Sequence, residues 1–115
     1  MTGICPAEHI PGVMRTFDVL AEPRRRTILD LLRDGERSVG ELVDELNLSQ
    51  PAVSKHLRVL REAGLVTVRV AAQRRCYALR PEPLAEVDAW LAPYRRFWSD
   101  RLDALERRLD ATDPR

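Results

Sequence analysis

The apolar residues of this chain leave a helical period for an alternating one at Gly64, and that change limits the folds open to it. Before it, Val53, Leu57 and Leu60 recur at steps of 4 and 3, the spacing of one helical face. After it, Leu65, Val66, Val68 and Val70 form an alternating run of strand character. Arg75-Cys76-Tyr77-Ala78-Leu79 reads as a returning strand, stopped by Pro81 and Pro83. Ala71-Ala72-Gln73-Arg74 lies between the two runs as a loop. It lacks the Asn-Gly signature of a tight hairpin, so its turn type stays open.

The segments upstream are separated by turn and capping residues. Val13, Phe17 and Leu20 predict a first helix over 12–21. Pro23 suits a first helical position, and Ile28, Leu29, Leu31 and Leu32 give the second helix its apolar face. Gly35 is expected to close it as a left-handed cap. Ser38-Val39-Gly40-Glu41 reads as a capping box, opening a short third helix lined by Val39, Leu42, Val43 and Leu46. Three residues follow, Asn47-Leu48-Ser49, with Ser49 as the next cap and Pro51 near the start of the fourth helix. Gly64 ends that helix.

A short helix and a longer one joined by about three residues make a helix-turn-helix, and the hairpin behind it makes a winged helix. The expected fold is therefore mostly α with a small β-hairpin. Residues 1–11 are expected to form a loose N-terminus, 12–80 the winged domain, 81–111 a C-terminal helical segment and 112–115 a loose tail. In the C-terminal segment Leu84, Val87, Leu91, Tyr94, Trp98, Leu102, Leu105 and Leu109 recur at helical steps, interrupted by Pro93. That proline is expected to kink the helix or split it near Leu91.

Charge supports a particular use of this fold. Net charge over the 115 residues is only +1. Residues 49–80, however, carry seven basic side chains and one acidic, a local sum of +6. Such a concentrated field suits a polyanion. If Val53, Leu57 and Leu60 face the core, then Gln50, Pro51, Ser54, Lys55 and Arg58 face outward or flank that face. Gln reads adenine, Ser either class of base, and Lys or Arg guanine. Ser49 and Gln50 sit at a helix N-terminus, which favours phosphate. Arg69, Arg74 and Arg75 decorate the hairpin. His56, beside Lys55, is expected at the edge of this surface, as a DNA contact or a packing residue.

The run from Pro11 to Pro83 resembles the ArsR/SmtB family of bacterial winged-helix repressors. The matching stretches are FDVLAEPRRRTILDLLRDGERSVGELVDELNLSQPAVSKHLRVLREAGLV and the wing RRCYALRPEPL, with SQPAVSKHLRVLREAGLV the most specific part. The resemblance implies a homodimeric repressor of an imperfect palindromic operator, often that of its own operon. It implies a recognition helix over about 50–63 in the major groove and a wing over about 65–80 on the adjacent backbone or minor groove. It also implies a dimer interface built by the first and last helices. Phe17, Leu20, Leu91, Tyr94, Trp98, Leu102, Leu105 and Leu109 would serve, since a chain this short has too little core to absorb the whole stripe.

Many relatives of this kind sense metals, but the ligands are not in place here. Glu41-Leu42-Val43-Asp44-Glu45 contains no Cys-x-Cys pair. The last helix offers Asp88, Asp100, Asp103 and Asp110 but no histidine, and the only histidines are His9 and His56. No metal site and no cofactor are expected. Cys76, after Arg74 and Arg75, and Cys5 are the redox candidates. Two cysteines do not make a disulfide framework. No phosphate loop or nucleophile–base motif is present, and Asp34/Glu36 and Asp44/Glu45 read as solvated charge, so an enzyme is not expected. No apolar run is long enough to span a membrane and no secretory signal is visible, which leads to an expected cytoplasmic location. Two alternatives stay open: a winged-helix protein-interaction module without specific DNA binding, and a thiol-based redox-sensing repressor.

Overall fold

Local capping sets most element boundaries in the computed structural model, which describes residues 12–112. Helix α1 spans Gly12–Leu20 and α2 spans Pro23–Arg33. Between them the Glu22 carboxylate accepts the Arg24 amide, and Pro23 stands where a helix has no use for an N–H. Helix α3 (Val39–Leu46) opens on the expected capping box. The Glu41 amide donates to Ser38 Oγ at 3.2 Å, and the Ser38 amide donates to Glu41 Oε1 at 2.8 Å. Asn47 closes α3 at φ 57°, a left-handed conformation that Asn tolerates better than most residues. Ser49 Oγ then accepts the Ala52 amide at 3.3 Å and caps α4, Gln50–Glu62. Two bonds terminate α4, from the Gly64 amide to the Arg61 carbonyl (3.0 Å) and from the Leu65 amide to the Leu60 carbonyl (2.9 Å). This Schellman pattern needs the positive φ of 77° found at Gly64.

Gly35 departs from expectation. Its φ is +151°, far from the left-handed helical value, and Asp34 forms the cap of α2 instead. Glycine is still the suitable residue, because side chains disfavour that backbone region.

The sheet has three antiparallel strands in the order β1-β3-β2: β1 Arg37–Ser38, β2 Val66–Ala71 and β3 Arg74–Leu79. A two-stranded hairpin was the expectation. β1 joins it through Arg37↔Tyr77 and Ser38↔Cys76, and two residues are too few to show any alternation. Pairing of Ala71 with Arg74 leaves Ala72 and Gln73 as the turn, with Ala72 at φ 57°.

Val19, Ile28, Leu29, Leu32, Leu42, Val53, Leu57, Leu60, Leu65, Val66 and Tyr77 form the core. Val53, Leu57 and Leu60 are fully buried, each contributing about 1.5–3 kcal/mol by leaving water. Their burial turns the opposite side of α4 outward.

Helix α5 runs from Glu82 to Thr112 without a break, so the split at Pro93 does not occur. Proline removes one hydrogen bond of the ladder there. Arg95 spans the adjoining turn, donating to the Asp88 carbonyl at 3.4 Å and pairing with the Asp88 carboxylate. The N-terminal half of α5 packs on α1, where the Phe17 and Trp90 rings meet edge-on at 5.5 Å. From Pro93 through Ala111 every residue is exposed.

Candidate nucleic-acid interface

The outward side of α4 and the hairpin enclose an open cleft of about 610 Å³. Gln50, Pro51, Ser54, Lys55, Arg58 and Arg61 of α4 form one wall, and Val39, Arg75 and Tyr77 complete the lining. Four of these nine side chains are cations and none is an acid. Lys55, Arg58, Arg61 and Arg75 have no ion-pair partner among the described residues. Tyr77 is buried and gives the cleft a fixed floor. Ser49 stands at the N-terminal end of the same helix as its cap, with its side chain turned to the Ala52 amide.

The other basic residues of the wing are differently held. Arg69 bonds both oxygens of Glu36, with Nη2 to Oε1 at 2.7 Å and Nε to Oε2 at 3.0 Å. The guanidinium hydrogen bonds hold the Glu36 carboxyl below the usual carboxylate range and raise Arg69 in turn. Arg74 donates to Ser38 Oγ at 2.9 Å and lies 3.4 Å from Glu41. The Ser38 amide, and secondarily its hydroxyl, lower the Glu41 pKa, so a carboxylate faces Arg74 at neutral pH. A second groove, lined by Ser38, Glu41, Asp44, Gln73 and Arg74, adjoins the cleft and shares Val39, Gln50 and Arg75 with it.

His56 is half-buried and faces α2, where its Nδ1 accepts from Arg25 Nε at 3.4 Å. Burial, then the Arg25 charge, lowers its pKa from the usual 6.5.

The sequence and the fold have close counterparts among known proteins. Residues 22–68 match the model of the bacterial regulatory protein, arsR family. The HTH-type transcriptional regulator Rv2034 of Mycobacterium tuberculosis is 41% identical over 97 residues, which cover 84% of this chain and 88% of that protein. The transcriptional repressor SdpR of Bacillus subtilis is 32% identical over 65% of this chain and 83% of its own length. The chain belongs to the arsR family. An ArsR-like transcriptional regulator from Rhodococcus sp. RHA1 has the same fold, with a TM-score of 0.67 and 26% identity over 84% of this chain and 91% of that one. This arsR-family protein is accordingly a DNA-binding transcriptional regulator rather than an enzyme.

Within this family member, Gln50, Pro51, Ser54, Lys55, Arg58 and Arg75 come together in one cleft. Arg74 lies in the adjoining groove, while Arg69 and His56 turn to Glu36 and Arg25 instead. Arg61 was not among the residues singled out from the sequence. It follows Gln50, Ser54 and Arg58 at steps of 4, 4 and 3, a helical stripe that the sequence already contains. Cys76 is half-buried in β3 between Ser38 and Arg69 on the neighbouring strands. Cys5 and His9 lie outside the described residues. Among the described residues no three His, Cys, Asp or Glu side chains converge on a possible metal position, and no helix is long and apolar enough to cross a membrane. Leu20 and Leu91 are half-buried, whereas Phe17, Tyr94, Trp98, Leu102, Leu105 and Leu109 expose large apolar surface. Trp90 and Phe97 extend that exposed face, beside the Leu84-to-Leu109 stripe rather than on it.

Proposed function

We propose that this arsR-family regulator is a homodimeric repressor that binds an imperfect palindromic operator, that of its own gene included. Each protomer lays α4 in a major groove and sets the wing against the neighbouring backbone or minor groove. The observation that carries this reading is the acid-free cleft with four unpaired cations between α4 and β3. A phosphate strand satisfies those cations, while Gln50 and Ser54 on the same helix reach base edges. Dimerisation draws support from the exposed aromatic and aliphatic side chains of α5, which the same face of a second copy would cover. A two-fold dimer sets its half-sites one helical turn apart, roughly 34–36 Å.

The test is a fluorescence-anisotropy titration against the duplex upstream of the gene, beside a scrambled duplex, at two salt concentrations. Tight binding to the first alone, weakening with salt, is expected. Lys55→Ala and Arg58→Ala are each expected to weaken it by roughly five- to 150-fold, the range of about 1–3 kcal/mol for a specific contact. Their circular dichroism should stay unchanged, since both side chains are exposed. Unaltered affinity in both variants would reject this face of α4 as the reading face.

A further inference from the structure

His56 occupies the flank of α4, between its buried stripe and its open face. The Arg25 guanidinium that donates to its Nδ1 also donates through Nη1 to the Val19 carbonyl at 3.2 Å, in the last turn of α1. A cation at the C-terminal end of a helix is favourably placed against the helix dipole. Among the described residues, Arg25 alone joins α1 to α4 by side-chain hydrogen bonds. Helix α1 in turn rests on α5 through Phe17 and Trp90. A polar link at His56 thus connects the recognition helix to the two helices that carry the exposed apolar face.

The link depends on protonation. An imidazole nitrogen accepts a hydrogen bond only while it carries no proton. Protonated, His56 presents a second donor and a positive charge to a guanidinium. The charged groups facing it are Arg25, Glu22 and Arg24 from α2 and its cap, and Lys55 from α4 itself: three cations against one carboxylate. Burial and the Arg25 charge together lower the pKa of this ring below 6.5 and keep it neutral at physiological pH.

We propose that Arg25 and His56 are a positioning pair for operator recognition: neutral His56 holds Arg25 between the end of α1 and the recognition helix, and its protonation loosens α4 and weakens operator binding. This rests on α4 being the reading helix. It also carries the opposite sign to a direct contact. A histidine touching phosphate gains a charge on acidification and binds DNA more tightly; a histidine that positions α4 through Arg25 loses its bond and binds DNA less well.

Wild-type protein and His56→Gln are titrated against the upstream duplex at fixed salt, at about pH 7.5 and about pH 5.5. Gln offers Arg25 an acceptor oxygen that does not titrate. Wild-type affinity is expected to fall by a few-fold on acidification, towards the limit of about tenfold that a one-unit pKa coupling sets, while His56→Gln matches wild type at the higher pH and changes far less. Tighter wild-type binding at the lower pH, or a His56→Gln profile that follows wild type, overturns the inference. The free protein gives a second readout. The His56 ring proton, assigned by its absence from the His56→Gln spectrum, should titrate below 6.5 and move upward in Arg25→Gln. An unmoved midpoint overturns the pairing itself. Wild-type protein that ignores the duplex at both pH values overturns the operator reading and this inference with it, whereas tight but pH-independent binding overturns this inference alone.

Discussion

Arg74 and Arg75 are sequence neighbours, yet their charges are spent differently. Arg75 lines the acid-free cleft, while Arg74 is taken up by Ser38 and Glu41. Arg69, expected beside them, is held by Glu36. Only an unpaired cation releases a counterion for each phosphate it meets. Arg75→Ala is therefore expected to reduce the slope of log affinity against log salt by about 1. Replacing the whole Arg69–Glu36 pair, as Arg69→Ala with Glu36→Gln, should leave slope and affinity close to wild type, since no net charge and no free cation is lost. A slope change as large as that of Arg75→Ala would place Arg69 on DNA. The sequence made the basic window plain, but not this sorting. Each neutralising carboxylate sits 33 residues before its arginine, and only the sheet, with β3 paired to β1 on one side and to β2 on the other, brings them together.

At the scale of elements, what was legible follows the range of the interaction that makes it. The capping box, the Ser49 cap and the Gly64 terminator each act within five residues, and all were readable. Strand β1 was not, because nothing in Arg37-Ser38 marks a strand apart from its partner in β3. Of the kink or split that Pro93 allows, the split does not occur: the proline removes a single bond from a 31-residue helix, and the helix continues on both sides of it. The wing turn is the element most open to improvement. Ala72 sits at φ 57°, where an L-residue is disfavoured by about 1–2 kcal/mol. Glycine relieves this and gives back about 0.5–1 kcal/mol in chain entropy. Ala72→Gly is thus expected to stabilise the protein by roughly 0.5–1 kcal/mol, or a few degrees in Tm, measured by thermal or urea denaturation. A lower Tm would mean that the turn draws its stability from something other than its backbone conformation.

The molecule as a whole has two surfaces that its own core leaves open, and they make different demands. On the proposed reading the cleft takes phosphate, one protomer at a time. The face of α5 asks for apolar cover, and α5 is about 46 Å long at 1.5 Å per residue, with every residue from Pro93 to Ala111 exposed. The radius of gyration, 19.7 Å, exceeds the ~13 Å of a compact chain of about this size, as expected when a helix extends beyond the core that supports its first turns. A second copy of the same face would cover it. Trp98 and Leu102 are 47% and 60% exposed and take no part in the protomer's core. A charge at either position therefore leaves the winged domain its packing while opposing burial at the interface. Trp98→Glu and Leu102→Glu are expected to sediment as folded monomers with the helical content of wild type. Each monomer keeps its cleft but loses the second attachment, so affinity for the full operator should drop by about a hundredfold or more while binding to an isolated half-site changes little. Dimers that persist in both variants would move the interface off this face of α5. Monomers that bind the full operator as well as wild type would show that one protomer suffices, and would detach the palindromic operator from the reading of the cleft.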